Sequence, residues 1–346
     1  MAALARPRGV ALLALAFGML LACSAVASTV GSVQIPLREV YGVVAHHLWG
    51  GTLDGVSASS DAIIWQVRIP RILMAGLVGT GLSVAGALYQ ALLRNPLAEP
   101  FLLGVSSGAG LAAVAVSSAG LVSWWAHTLP IAAFGGALLA SIVIVGLSRV
   151  GGQLPATNLI LAGVALGSFF SSITALLLIR GQGTFETFQM LGWLMGSLAR
   201  ADWGTLLLVA PYVLLPILIA VPLGRWMNVL MLGDRQARNL GVPVERARLL
   251  LLALGGLLAA ASVAGAGLVG FVGLIVPHTV RLALGPDNRV LVPMAACSGG
   301  IFVVLCDTLG RVAFAPMEVP VGIVTALFGA PFFLWLLRYR RGIALT

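Results

Sequence analysis

The side chains able to do chemistry are few and badly placed for it. All 20 basic residues are arginine, and the chain has no lysine. A Walker A phosphate loop needs a lysine on the nucleotide phosphates, and Schiff-base chemistry needs its amine, so both are excluded. If ATP drives this protein, another chain hydrolyses it. The four histidines fall at positions 46, 47, 127 and 278. No His/Asp/Glu cluster and no nucleophile–base pair shares one apolar run, and no two histidines share a run at haem-ligand spacing. His278 follows Pro277; it reads as a metal or haem ligand or, more simply, as a packing histidine at a helix break. His46 and His47 are adjacent, an isolated pair without further ligands. Cys23, Cys297 and Cys306 all lie in apolar runs, so no disulfide framework is implied. No catalytic residue, bound cofactor or metal site is expected on this chain.

The surrounding composition explains the scarcity. Of the 346 residues, 60% are hydrophobic and only 9% charged, with a mean hydropathy of +1.05. A soluble domain is about half apolar and a quarter charged. A soluble enzyme, a disordered chain and a coiled coil are excluded; the composition is that of an all-α polytopic membrane protein. The net charge of +9 is spread as single and paired arginines between apolar runs, which fits membrane topology rather than a nucleic-acid face.

A helical span needs about 20 mostly apolar residues. Stretches free of Asp, Glu, Lys and Arg run Gly9–Leu37, Ile72–Leu93, Pro100–Ser148, Val150–Ile179, Trp203–Gly224, Leu249–Val280, Val290–Cys306 and Val319–Leu337. Pro100–Ser148 is long enough for two spans and breaks near Trp124, Trp125 and His127. Leu249–Val280 carries Gly265, Gly267, Gly270 and Gly273 before Pro277, and splits into a full span and a short one. The total is ten. Arg6 and Arg8 open the chain and Arg338, Arg340 and Arg341 close it, so both termini are placed in the cytoplasm, which requires an even count. This topology puts Arg38, Arg68, Arg71, Arg180, Arg200 and Arg311 outside and the other arginines inside. The first run, with Ala25-Val26-Ala27 behind it, imitates a secretory leader; its length and the even count keep it as a span. Residues 35–61 form an outer-face segment of short helices.

Small residues recur inside the runs, as at Gly76, Gly79, Gly81 and Gly86, and permit close helix packing. The clusters Gly104–Gly108 and Gly265–Gly273 either pack helices or break them beside a pathway. Almost no charge lies at membrane depth, which argues against proton-coupled carriers and redox proteins. It suits a large solute moved through a transient cavity by an external motor. Three inner segments stand out: Arg94–Pro100, with two prolines; Arg149–Thr157, with a Gly-Gly-Gln-Leu-Pro turn; and Arg225–Arg248. In the last, Leu232, Gln236, Asn239 and Leu240 recur near helical spacing before Gly241 and Pro243 stop the helix. It reads either as a knob for a partner's groove or as a membrane-surface helix.

At this point a resemblance becomes specific. The stretches Arg68-Ile-Pro-Arg71, Gln90 to Gly110 with its Asn-Pro-Leu-Ala-Glu-Pro, Leu161 to Gly167, Trp193 to Leu198, Gly233 to Gly241, Gly270 to His278 and Glu318 to Phe333 resemble, in order, the FecCD permeases of type II ABC importers. The resemblance implies one transmembrane permease domain over 1–346, with residues 225–248 as the cytoplasmic coupling loop. It implies a homodimer on two ATPase subunits, which hold ATP and Mg, served by a periplasmic or lipid-anchored binding protein at the bacterial inner membrane. The cargo it implies first is an iron–siderophore complex, with cobalamin, then haem, as alternatives. Arg68, Arg71 and Arg311 match positions that receive glutamates of the binding protein, as exposed forks; interfacial anchoring is the plainer reading. Asp307, four residues before Arg311, could also hold it. Gly233, Arg235, Ala237, Arg238, Leu240 and Gly241 match the coupling helix on the ATPase. Asn95, Leu97 and Thr157 match a cytoplasmic gate, although Ala156 stands where the family can carry a polar residue and Asn95 also suits an Asn-Pro turn. The competing class is a secondary transporter that needs no ATPase; the missing intramembrane charge and the structured 225–248 loop count against it.

Overall fold

The computed structural model describes residues 7–340 except 32, 54, 126, 151–153, 181–183 and 314. The terminal Arg6 and Arg341 and the Gly151-Gly152-Gln153 turn lie outside the described residues. Every regular element among those described is a helix, as the continuous apolar runs demand: in hydrocarbon each backbone N–H and C=O must be satisfied within its own segment.

The chain opens with α1 (Pro7–Thr29). The outer-face segment folds as α2 (Leu37–Trp49), ended by Gly50 at φ 74°, and the short α3 (Ala58–Ala62). A π-helical stretch, Ile63–Arg68, leads directly into α4 (Ile69–Leu92). After the Asn-Pro-Leu-Ala-Glu-Pro loop come a single 3₁₀ turn at Pro100–Leu103 and α5 (Val105–Ser118). The run Pro100–Ser148 does divide, with α6 at Thr128–Ser148. α7 (Ala156–Arg180) and α8 (Thr184–Leu194) follow. Next are α9 (Trp203–Ala220), α10 (Gly224–Met231) and α11 (Asp234–Asn239). The run Leu249–Val280 splits as its glycines predict, into α12 (Val244–Ala266) and α13 (Val272–Leu284). α14 (Asn288–Val312) and α15 (Val321–Arg340) complete the bundle.

Among the described residues, seven stretches are long and apolar enough to cross a membrane by length and composition. Three more apolar helices, α5, α13 and the Val321–Leu336 part of α15, are shorter, so the expected ten crossings depend on these three. α4 and α12 are the centre of the bundle: 78% and 72% of their most apolar windows are buried, against 11% for α1 and α7. Central helices can be this close because glycine removes the side chain between them. A Cβ on Gly79 would lie 2.1 Å from the Gly299 carbonyl oxygen of α14, and one on Gly86 1.9 Å from the Gly273 carbonyl oxygen of α13.

The α4–α13 contact also fixes depth. Gly86 lies six residues inside the end of α4, about 9 Å at the helical rise, so α13 begins within the bundle rather than at its surface. The loop after α4 follows it inward. Arg94 remains at the rim, but Glu99 reaches the α12–α13 break, where its Oε1 accepts from the Phe271 backbone N–H at 2.7 Å. The two-proline turn between the spans therefore extends into the bundle rather than staying at its rim.

Candidate functional site

One end of the bundle is organised by arginines. Arg71 donates from Nε to both Asp307 carboxylate oxygens at 3.1 Å, from Nη2 to Asp307 at 3.0 Å, and from Nη1 to Glu318 at 2.8 Å. Arg311 meets the same Asp307 at 3.2 Å, one helical turn away. Arg311 also donates to the Ala27 and Val30 carbonyls, at 3.1 and 3.2 Å. Arg68 donates to the Ser28 carbonyl at 2.6 Å and to that of Val33. The last carbonyls of α1 have no partners within their own helix, and a helix C-terminus favours cations. Arg68 and Arg311 therefore bind the end of α1 to the start of α4 and to α14, and Arg71 joins α4 to α14.

Exposed forks were expected here, and that expectation is corrected: Arg68, Arg71 and Arg311 are 4%, 7% and 6% exposed. For Arg71 and Arg311 the physical reason is Asp307, itself 3% exposed, which holds two guanidiniums in a space that would not accept them unpaired; Arg68 is covered instead by the chain at the end of α1, through the Ser28 and Val33 carbonyls. The Asp307–Arg311 helix pair is present as anticipated. Glu318 is the open edge of the cluster, with a side chain 46% exposed.

At the opposite end, α11 projects between two turns. Gly233 precedes it at φ 111° and Gly241 follows at φ 78°, conformations that L side chains rarely adopt. Ala237 is buried under the helix, whereas Arg235, Arg238, Leu240 and Gly241 face outward. Leu232 and Leu240 are 59% and 63% exposed, two large apolar side chains on a short polar helix. The first residue of α11, Asp234, sits between Arg248 of α12, at 2.9 Å, and Arg94 of the loop after α4. Arg94 also donates to the Leu230 carbonyl at 2.8 Å. Beside it, Asn228 of α10 donates to Asp287 at 2.7 Å and accepts from Asn288 at 2.8 Å, joining α10 to α14. Hydrogen bonds from the Arg289 side chain, helped by Asn228, hold the Asp287 carboxyl at about 2. This brace stabilises above the ordinary carboxylate range and weakens only as pH falls towards that value.

Asn95 and Leu97 share one turn, with the Asn95 Oδ1 accepting from the Leu97 N–H at 3.0 Å. Asn95 thus does perform the turn role its Asn-Pro sequence suggested. Thr157 is exposed on the first turn of α7, a separate element, and Leu97 is half-buried. His278 is buried on α13. His47 pairs with Asp61 at 2.9 Å and stacks flat on Trp65 at 4.2 Å, which builds the outer-face segment onto the bundle. No metal-binding group of three or more His, Cys, Asp or Glu occurs among the described residues.

Two features escaped the sequence reading. One is the Glu99–Phe271 contact; the only signal was an acidic residue inside an otherwise apolar stretch. The other is an open cavity of about 660 Å³ at the flank of α13 and α15, bounded by Phe101, Met195, Phe271, Ile323 and Pro331. Its lining is almost wholly apolar, and the α12–α13 break forms one wall.

Known proteins are similar to this chain in sequence and in fold. The family model described as FecCD transport family matches residues 17–339. The chain is 42% identical over 291 residues to the cobalamin import system permease protein BtuC of Halobacterium salinarum, covering 84% of this chain and 77% of that protein. It is 41% identical over 295 residues to the hemin transport system permease protein HmuU of Yersinia pestis, covering 82% and 86%. The fold superposes on a solved metal-chelate type ABC transporter in an inward-facing conformation with a TM-score of 0.79 and 29% identity, covering 96% of this chain and 99% of that one.

Proposed function

The chain belongs to the FecCD transport family, the membrane permeases of type II ABC importers, and on that premise we propose its cargo, partners and working parts. The observation that carries the reading is the match over nearly the whole chain, to the family and to the metal-chelate transporter fold together. The cargo is a metal chelate. Cobalamin stands first, ahead of haem and of the ferric siderophore that the resemblance implied, because relatives named as cobalamin or vitamin B12 permeases recur at 40–42% identity. A second copy of the chain completes the pathway. The outward faces of α7 and α15 support this: Leu161, Phe169, Leu327 and Phe328 are 62%, 59%, 68% and 52% exposed, beside the apolar cavity at Phe271 and Ile323.

The α11 end faces the cytoplasm and seats on an ATPase that binds ATP and Mg. Exposed Leu232 and Leu240 enter its groove, with Arg235 and Arg238 as flanking charges. The arginine end faces outward and receives the binding protein. There Arg71 presents a carboxylate already held at an exposed edge, Glu318, which a docking glutamate can replace; Arg68 and Arg311 keep that platform in place. Asn95, Leu97 and Thr157 line the inner gate.

Uptake into proteoliposomes containing the permease, its ATPase and its binding protein is expected to require ATP and to favour cobalamin over haem and ferric siderophore. Preference for a siderophore would move the cargo assignment. Uptake by the permease alone, driven by an ion gradient, would overturn the importer reading.

Gly241→Pro tests the coupling. Proline fixes φ near −65° and has no N–H, whereas Gly241 sits at φ 78° and donates to the Arg238 carbonyl at 3.0 Å. The variant is expected to insert normally while ATP hydrolysis no longer drives uptake. Wild-type uptake would remove α11 from the coupling role.

A further inference from the structure

A crevice of about 510 Å³ cuts the flank of the bundle between α6 and α12. Tyr89 of α4, 1% exposed, forms its floor. Its walls are side chains such as Ile142 and Val145 of α6 and Ala253 and Leu257 of α12. The two hydroxyls on its lining are already engaged. Ser141 donates to the Ala137 carbonyl at 2.9 Å, and Tyr89 to that of Leu252 at 3.2 Å. The depth of the crevice, with both hydroxyl donors engaged, therefore suits an apolar chain. The neighbouring surface of α6 faces the same way: Leu139, Ile142 and Leu147 are 64%, 68% and 66% exposed. In a bilayer this surface meets hydrocarbon, and an empty slot in it forfeits its dispersion contacts.

The mouth of the crevice is charged. Arg149, immediately after α6, is part of the lining and exposed. Arg246 on the first turn of α12 precedes Leu249 by three residues and Ala253 by seven, so it lies on the helix face that lines the crevice. It too is exposed. Neither arginine makes an ion pair among the described residues. Both lie at the α11 end, and Arg248, two residues after Arg246, holds Asp234.

We propose that this crevice binds an anionic phospholipid of the leaflet at the α11 end. One acyl chain runs between α6 and α12 to Tyr89, and the phosphate sits on Arg149 and Arg246. Arginine favours phosphate by its charge and its forked donors. The site rests on the bundle being membrane-embedded, not on the choice of cargo or of ATPase contact.

The test uses the whole transporter complex, purified in detergent and titrated with phosphatidylglycerol or phosphatidylcholine of the same chains, with bound lipid counted by native mass spectrometry. Wild type is expected to retain phosphatidylglycerol roughly tenfold more strongly, from two arginines beside one anionic headgroup. Arg149→Gln with Arg246→Gln should bring phosphatidylglycerol down to the phosphatidylcholine level. Gly146→Leu should lower both, because a Cβ at Gly146 meets nothing within 4 Å and the side chain can enter the crevice without displacing backbone. Size-exclusion profiles check that both variants assemble. Equal retention of the two lipids by wild type overturns the proposal, as does wild-type retention by both variants. A second copy of the chain covering the crevice would leave no lipid for either variant to lose, and that result also overturns it.

Discussion

Asp307→Ala is expected to destabilise the purified permease by about 3–5 kcal/mol, the range for removing one partner of a buried ion pair. The change strands two guanidiniums at once. Arg71 and Arg311 are both nearly inaccessible, and each loses its principal carboxylate. Arg311 then loses the carboxylate that fixes it against the carbonyls of α1, so the α1–α14 contact should loosen as well. Glu318→Gln is the matched control. It removes another carboxylate from the same Arg71, but from a side chain 46% exposed, where ion pairs contribute up to about 1 kcal/mol. Thermal unfolding in detergent should show a large drop for Asp307→Ala and a small one for Glu318→Gln. Equal drops would mean that the cluster is held by packing rather than by Asp307. The same geometry predicts that Arg68→Glu with Arg311→Glu would fail to fold before it could report on docking. The docking contact is better tested through Glu318→Arg.

The contrast between the two ends explains what could be read in advance. Runs such as Trp203–Gly224 become helices because a long apolar segment has no other way to satisfy its backbone, a constraint visible in composition alone. The break after Ala266 was legible for the same reason, since four glycines interrupt a run too long for one span. α11 was legible because its stop signals are local. The arginine cluster was not. Arg71 and Asp307 are 236 residues apart, and nothing around Arg71 in the sequence says whether it points to water or to a carboxylate. Exposure is a tertiary property, and the sequence motif carried only the arginine's presence. Glu99 was hidden for a different reason: an acidic residue among apolar neighbours in a two-proline loop carries no local sign of its partner, and only the early start of α13 supplies one.

Glu99→Ala is the second large effect expected, on transport rather than on insertion. Only two non-glycine residues among those described have positive φ, Arg94 at 50° and Phe271 at 68°. An L residue in that region costs about 1–2 kcal/mol and persists where its surroundings hold it. Arg94 is held by Asp234 and the Leu230 carbonyl, and Phe271 by Glu99. These two residues link α11 through the Asn95–Leu97 turn to the α12–α13 break. Phe271 is also the N-cap residue of α13, where a carboxylate complements the helix dipole. Its ring packs so closely on α15 that a Cβ at Gly329 would lie 2.3 Å from it. Removing the carboxylate leaves the Phe271 N–H without its acceptor, at about 1–3 kcal/mol, and frees the cavity wall from the loop. ATP-driven uptake should fall by roughly tenfold, the equivalent of 1.4 kcal/mol, with membrane level and basal ATP hydrolysis retained. Glu99→Gln keeps an acceptor oxygen without the charge and should fall between alanine and wild type. Full uptake by Glu99→Ala would show that the loop and the break move independently. Loss of uptake in Glu99→Ala with near-normal uptake in Glu99→Gln would assign the link to the hydrogen bond rather than to the charge.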